Sequence, residues 1–255
     1  MSFAILSWQG AAICAVYFAV GIIDSVCGGG GLIAVPALMA LGIPVHCITG
    51  TNQCSTVPGC LVSIYKYAKS GNVHFHAGII AALTAILGGI IGAELNMIIS
   101  EKYLEIIMIA LIPLVALMIF LKKDFGENDF SDCLSKPKLI LYPCIIGFVV
   151  GAYQGFYGPG AGMLYVLAFT LLIKLNLVRA SGTAKIASLT AALSSSVTYA
   201  LSGLVIWRIA LLGMLFFGFG SYVGSSLAVK NGVKIIRPIL LGVIVLLFIK
   251  LVFKF

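Results

Sequence analysis

Charge is what this sequence has least of. Only 9% of its 255 residues are Asp, Glu, Lys or Arg, against roughly 25% in a soluble domain. Such a chain cannot cover itself with a polar surface, which excludes a soluble fold. Histidine is scarce too: His46, His74 and His76 stand scattered at the predicted membrane edges and cannot build a haem or di-iron site. The seven cysteines (14, 27, 47, 54, 60, 133, 144) form no C-x-x-C pair, which argues against a metal or redox centre. Most lie in apolar runs and read as small buried hydrophobes. No G-x-x-x-x-G-K-[ST] occurs, so an ATP-driven pump on this chain is not expected. The period-2 alternation of a barrel is missing as well.

Apolar residues fill the space left by charge. They make up 61% of the chain, mean hydropathy is +1.15, and runs near 20 residues recur, as membrane helices require. The expected fold is an all-α integral membrane protein. The first residues, MSFAILSWQG, lack a basic n-region and read as the start of a span rather than a cleaved signal. Ten apolar segments can be marked: about 8–26, 32–42, 47–67, 75–98 and 103–121, then 139–157, 163–174, 178–201, 205–228 and 235–252. The second of each five is too short to cross ~30 Å of hydrocarbon at 1.5 Å per residue. Each is therefore predicted as a half-helix returning from a glycine break. Between the two sets, residues 122–138 hold half of the acidic residues and no apolar run. They are the expected linker between a first repeat, 1–121, and a second, 139–255.

The halves align internally. Thr49-Gly50-Thr51 falls on Ser181-Gly182-Thr183 at a shift of 132, and the same shift puts Gly88 on Gly220 and Gly92 on Gly224. Both glycine pairs are small-xxx-small faces of the kind on which membrane helices pack. Three features at one offset argue for duplication. Charge then orients the repeats. With the 67–75 turn cytoplasmic, Lys66, Lys69, Lys122, Lys123, Lys136, Lys138, Lys174, Arg179, Lys230, Lys234 and Arg237 fall inside, and only Lys102, Arg208, Lys250 and Lys254 outside. That positive-inside bias accounts for the net charge of +8 without a nucleic-acid partner. It also makes the two repeats inverted, with both termini outside and the linker cytoplasmic in a cell membrane. Each repeat should hold four long helices and one half-helix.

The embedded polar residues are the candidate site. Asp24 precedes Gly28, Gly29, Gly30 and Gly31; a weaker copy, Gln154 before Gly158, Pro159 and Gly160, lies half a chain later. Interrupted hydrophobic segments at matching places in two halves point to a transporter's substrate site. Free N–H groups at a half-helix start, with the positive end of its dipole, suit an anion; equally, the glycines could serve tight helix crossing alone. Thr51, Asn52 and Gln53, matched by Thr183 and Lys185, open the next helices, where hydroxyls and amides either meet an oxyanion or cap helix N-termini. Lys185 is the basic residue well inside a span, and an unpaired ammonium there is costly. It must meet an anion: Asp24, a substrate, or both. A fixed buried ion pair that only sets helix register is the plainer alternative. Glu94, near the outer end of its helix, reads as structural. Ser194, Ser195 and Ser196 lack a histidine partner within the membrane, which weakens an intramembrane hydrolase.

Residues Ile23–Pro44, IDSVCGGGGLIAVPALMALGIP, followed by Gly50-Thr51-Asn52-Gln53, resemble the TauE/SafE sulfite-exporter family of membrane permeases, most of all the branch with I-D-S before the glycines. The resemblance covers nearly the whole chain. It implies a permease of inverted repeats moving sulfite, sulfonates or related small anions. That branch usually reads G-T-N-K where this chain has Gln53, a departure that bears on substrate charge and coupling ion. The expected function is secondary transport of a small, sulfur-containing anion by alternating access. No cofactor or metal is expected, and coupling to a proton or other ion is left open. A passive anion channel is the alternative, and an intramembrane enzyme the third reading.

Overall fold

The computed structural model describes residues 8–40, 43–98, 126–131, 134–236, 238–239 and 242. Among them the chain is helical with no strand. Helices α1 (Trp8–Cys27), α2 (Gly31–Ala40), α3 (Val45–Lys69) and α4 (Phe75–Ile98) make up the first half. The second holds α5 (Lys136–Phe156), α6 (Ala161–Ala168), α7 (Leu177–Leu201) and α8 (Trp207–Asn231). α6 runs on into a π-helical turn, Phe169–Ile173, and stops where Lys174 adopts φ 62°. The expected segment 103–121, most of 235–252 and part of the linker lie outside the described residues. α5 begins inside the expected linker, because Ser135 precedes a first turn of Lys136-Pro137-Lys138. Proline suits that turn and hydropathy does not register it.

Among the described residues four helices are long and apolar enough to cross a membrane by length and composition: α1 from Gly10, α4, α5 and α8. They turn large apolar side chains outward, among them Phe18, Leu83, Leu87, Leu141, Val149, Leu211 and Phe219. α3 and α7 are as long, 25 residues each, but carry the TGTNQ and SGTAK stretches. They pack against each other, with α8 on α3 and α4 on α7, so protein rather than lipid surrounds much of their polar surface.

Glycine permits the close packing. α4 lies along α5, where a methyl at Gly88 would strike the Phe148 carbonyl and the Ala152 nitrogen; α8 lies along α1, where one at Gly220 would strike the Phe18 carbonyl and approach Gly21. Phe18 and Gly21 match Phe148 and Gly151 at a shift of 130, while Gly88 and Gly220 differ by 132. The contact therefore recurs with the halves exchanged. The hydroxyl of Thr51 accepts the Ile206 N–H at 3.0 Å and that of Thr183 accepts the His74 N–H at 2.9 Å. These threonines thus cap helix starts, but each caps a helix of the other half. Thr49 and Ser181 lie inside α3 and α7 rather than at their caps, which are Pro44 and Asn176. A third match lies within each half: Tyr67 donates to the Ser25 carbonyl at 3.0 Å, and Tyr199 to that of Gly155 at 2.7 Å.

Candidate functional site

The two glycine breaks meet. α1 ends at Cys27, Gly28 turns with φ 79°, and α2 starts at Gly31; in the other half Gly158 and Gly160 turn with φ 90° and 80° before α6. Side chains disfavour that left-handed region. A methyl on Gly28 would also collide with the backbone of Gly162, and one on Gly31 would come within 2.9 Å of Pro159 Cα. Gly160 faces Leu32, and Gly30 sits against Val20 and the Asp24 side chain. The carbonyls of Gly29 and Gly30 take up the N–H groups of Leu32, Ile33 and Ala34. Tight crossing is therefore a role these glycines have. It leaves the anion reading little of α2, since these three of its first N–H groups already have backbone acceptors.

Two pairs of side chains flank the crossing. In the first, the Lys185 ammonium donates to Asp24 Oδ2 at 2.5 Å and to the Asp24 carbonyl at 2.6 Å. The lysine side chain is 2% exposed and the aspartate 14%. An ammonium has three protons, so one remains beyond those given to Asp24. In the second pair, Gln53 Nε2 donates to the Gln154 carbonyl, and Gln154 Nε2 donates to the Ser188 carbonyl at 3.0 Å, with a long 3.5 Å approach to Gln53 Oε1. Gly158 lies alongside, where a methyl would come within 3.0 Å of Gln53 Nε2.

These pairs are counterparts. Gln53 and Lys185 differ by 132, and Asp24 and Gln154 by 130. In each, the α3 or α7 side chain reaches the carbonyl of the α1 or α5 residue beside it. One half-site carries an ion pair and the other two neutral amides. Of the remaining candidates, Thr51 and Thr183 spend their hydroxyls on the caps described above. Asn52 is buried and its Oδ1 finds no partner among the described residues. Sequence reasoning passed over Ser188, whose carbonyl orients Gln154, and Tyr67 and Tyr199, whose phenols brace the ends of α1 and α5. A tyrosine inside an apolar run carries no pattern that marks it. Among the described residues no three His, Cys, Asp or Glu are placed to hold a metal ion.

Beyond the membrane helices, residues 126–131 strap onto the start of α7. Leu177 N–H donates to the Gly126 carbonyl at 2.8 Å and Phe130 N–H to the Lys174 carbonyl at 2.9 Å, while Arg179 pairs with Asp129 at 3.0 Å. Burial works against the Asp129 carboxylate, but hydrogen bonds from Ser131 and the Arg179 guanidinium outweigh it and hold its pKa below the ordinary value. His74 lies nearby, its pKa lowered by burial and by Arg179.

Buried charge, broken helices and an apolar exterior define a membrane transporter. The family model of the sulfite exporter TauE/SafE matches residues 13–251. The chain belongs to that family. It is 31% identical over 234 residues to "Probable membrane transporter protein ORF9" of Sinorhizobium sp, covering 92% of this chain and 88% of the other. To "Probable membrane transporter protein YfcA" of Escherichia coli (strain K12) it is 30% identical over 233 residues, 91% and 86% of the two chains. A "Probable membrane transporter protein" of Haemophilus influenzae is 28% identical over 221 residues, 87% and 86%. No solved structure matches.

Proposed function

We propose that this permease is a secondary transporter of a small, sulfur-containing anion such as sulfite or an organosulfonate, working by alternating access at the two glycine-broken half-helices. The observation that carries the reading is the meeting of both breaks at Gly28 and Gly162, with an ion pair and its neutral counterpart beside them. Lys185 meets the anion with its remaining proton, beside the glycine-rich backbone of the two breaks. Asp24 is its counter-ion or proton carrier: protonating Asp24 releases the ammonium to the solute.

Contacts that recur with the halves exchanged support two repeats, 1–121 and 139–255, related by a two-fold. The bias of Lys and Arg sets them inverted, with the linker cytoplasmic and both termini outside. In that frame Asp24 and Lys185 lie on the cytoplasmic side of the midplane and Gln53 and Gln154 on the outer side. Rocking one half on the other then opens a single site to each face in turn.

Solute counterflow in proteoliposomes tests this, with sulfite, thiosulfate, sulfoacetate, taurine and sulfate as the panel. Accumulation of labelled solute against unlabelled solute inside is expected for one or more of the anions. A channel gives equilibration without counterflow. If none of the five moves, the transporter reading with this substrate class fails.

A further inference from the structure

At the charged half-site the chain supplies its own cation, the Lys185 ammonium. At the neutral half-site the chain supplies oxygens. Gln53 Nε2 points at the Gln154 carbonyl and Gln154 Nε2 at the Ser188 carbonyl. Flipping either amide would set oxygen against oxygen, so the orientation of both is fixed by their neighbours. What is left over is acceptor: Gln154 Oε1, buried and without a donor among the described residues, and Gln53 Oε1, with only the 3.5 Å approach of Gln154 Nε2. Gln53 is 2% exposed and Gln154 5%. A buried acceptor left unpaired is costly, so something that donates or carries positive charge belongs there.

We infer that the Gln53–Gln154 half-site binds a small monovalent cation, with sodium as the probe, at the amide oxygens Gln53 Oε1 and Gln154 Oε1. Hard cations take oxygen ligands, and amide and backbone carbonyl oxygens suit them. The charge follows from the ligand set. Neutral oxygens balance none of the ion's charge, so within an apolar protein a single charge is held at far lower cost than two. Gly158 leaves room beside Gln53 where a side chain would crowd the amide. The binding step rests on these residues alone. Its use in transport rests on the function proposed above, in which the anion would lie between a fixed positive charge and an exchangeable one.

The test separates the two. The purified full chain is unfolded thermally in detergent in sodium, lithium, potassium or choline chloride at one ionic strength. Sodium is expected to raise the melting temperature saturably over choline, with a smaller shift for potassium. Gln154→Leu removes an acceptor and should lose the shift. Gln53→Lys replaces the other amide oxygen by a tethered ammonium and should be insensitive to sodium. Gln154→Asn, a milder change that withdraws the oxygen, is the second variant if Gln154→Leu does not fold. An equal melting temperature for the wild-type protein in sodium and choline overturns the inference and leaves water as the occupant. So does a full sodium shift in either Gln154 variant. In proteoliposomes, counterflow of an anion without a sodium shift leaves the transporter reading standing and removes the cation site. A sodium shift without flux of any anion does the reverse.

Discussion

The Asp24–Lys185 pair makes the strongest demand on experiment. Replacing Lys185 by Met keeps all but the last atom's reach of the side chain and removes the ammonium, leaving a carboxylate that is only 14% exposed. Breaking a buried ion pair from one side costs about 3–5 kcal/mol, because the remaining charge loses its partner and stays out of water. Asp24→Asn strands the ammonium in the same way, at a lysine only 2% exposed. Removing both charges together should cost much less than the sum of the two single changes, since two neutral groups of similar shape replace the pair. Free Cys27, Cys54 and Cys60 are buried, so a thiol-reactive dye reports unfolding of the chain without added labels. Each single variant should melt roughly 10 °C below the wild-type protein, and the double variant should recover most of that loss. Flux separates a structural pair from a working one. All three variants should be inactive in counterflow, including the double variant that melts near the wild-type temperature. Wild-type transport by the double variant would reduce the pair to a helix-register device and refute the assignment.

Three further outcomes follow from geometry already given. Gly28→Ala should destabilise the fold far more than Gly71→Ala: both glycines have positive φ, 79° and 74°, but a methyl meets the Gly162 backbone at the first and nothing within 4 Å at the second. The Gly71 change should cost about 1 kcal/mol, and equal melting temperatures would contradict the crossing of the breaks. Thr51→Val and Thr183→Val each strip the acceptor from one helix start, at about 1–3 kcal/mol; the two losses should be alike in thermal unfolding, and a tenfold difference in unfolding constant would count against their equivalence. Acid should loosen the strap at residues 126–131. With the His74 pKa lowered in the fold, the unfolded chain takes up the proton first, so stability is lost as pH falls below about 6.5. Asp129, also lowered, keeps its contribution until pH falls below the ordinary carboxylate range. A lower protection factor for the Phe130 amide at pH 5.5 than at pH 7, with the difference absent in His74→Gln, is the expected signature.

Element positions were legible because glycine and proline punctuate long apolar runs, and eight of the ten expected segments coincide with described helices to within a few residues. The shift of 132 was legible because TGT and SGT stand out from their surroundings. The partner of Lys185 was legible on energetic grounds: an ammonium at that depth needs an anion, and Asp24 was the nearest in pattern. What could not be read was exchange between halves. Nothing in the spacing around Thr51 says that its hydroxyl serves Ile206, because a hydrogen bond across 155 residues leaves no periodicity. The kinship of Gln53–Gln154 with Lys185–Asp24 was hidden differently. The first helices of the halves match at 130 and the third at 132, so a single offset misses the pairing. The strap from Asp129 to Arg179 escaped because a short polar loop offers no repeat to count.

The exchanged caps have a consequence for how the protein is made. When α3 and α4 leave the ribosome, the group that Thr51 caps, Ile206 N–H, has yet to be synthesised, and so has the α5 surface on which Gly88 packs. At about 5–20 residues per second, the wait from Thr51 to Ile206, 155 positions further on, is roughly 8 to 31 seconds. Through that interval the first half sits in the bilayer with its polar seams open, a substrate for any insertase or protease that recognises unpaired membrane helices. The completed chain is stable because the late half supplies what the early half lacks, which makes truncation near the linker a way to obtain a degraded product rather than a half-sized domain.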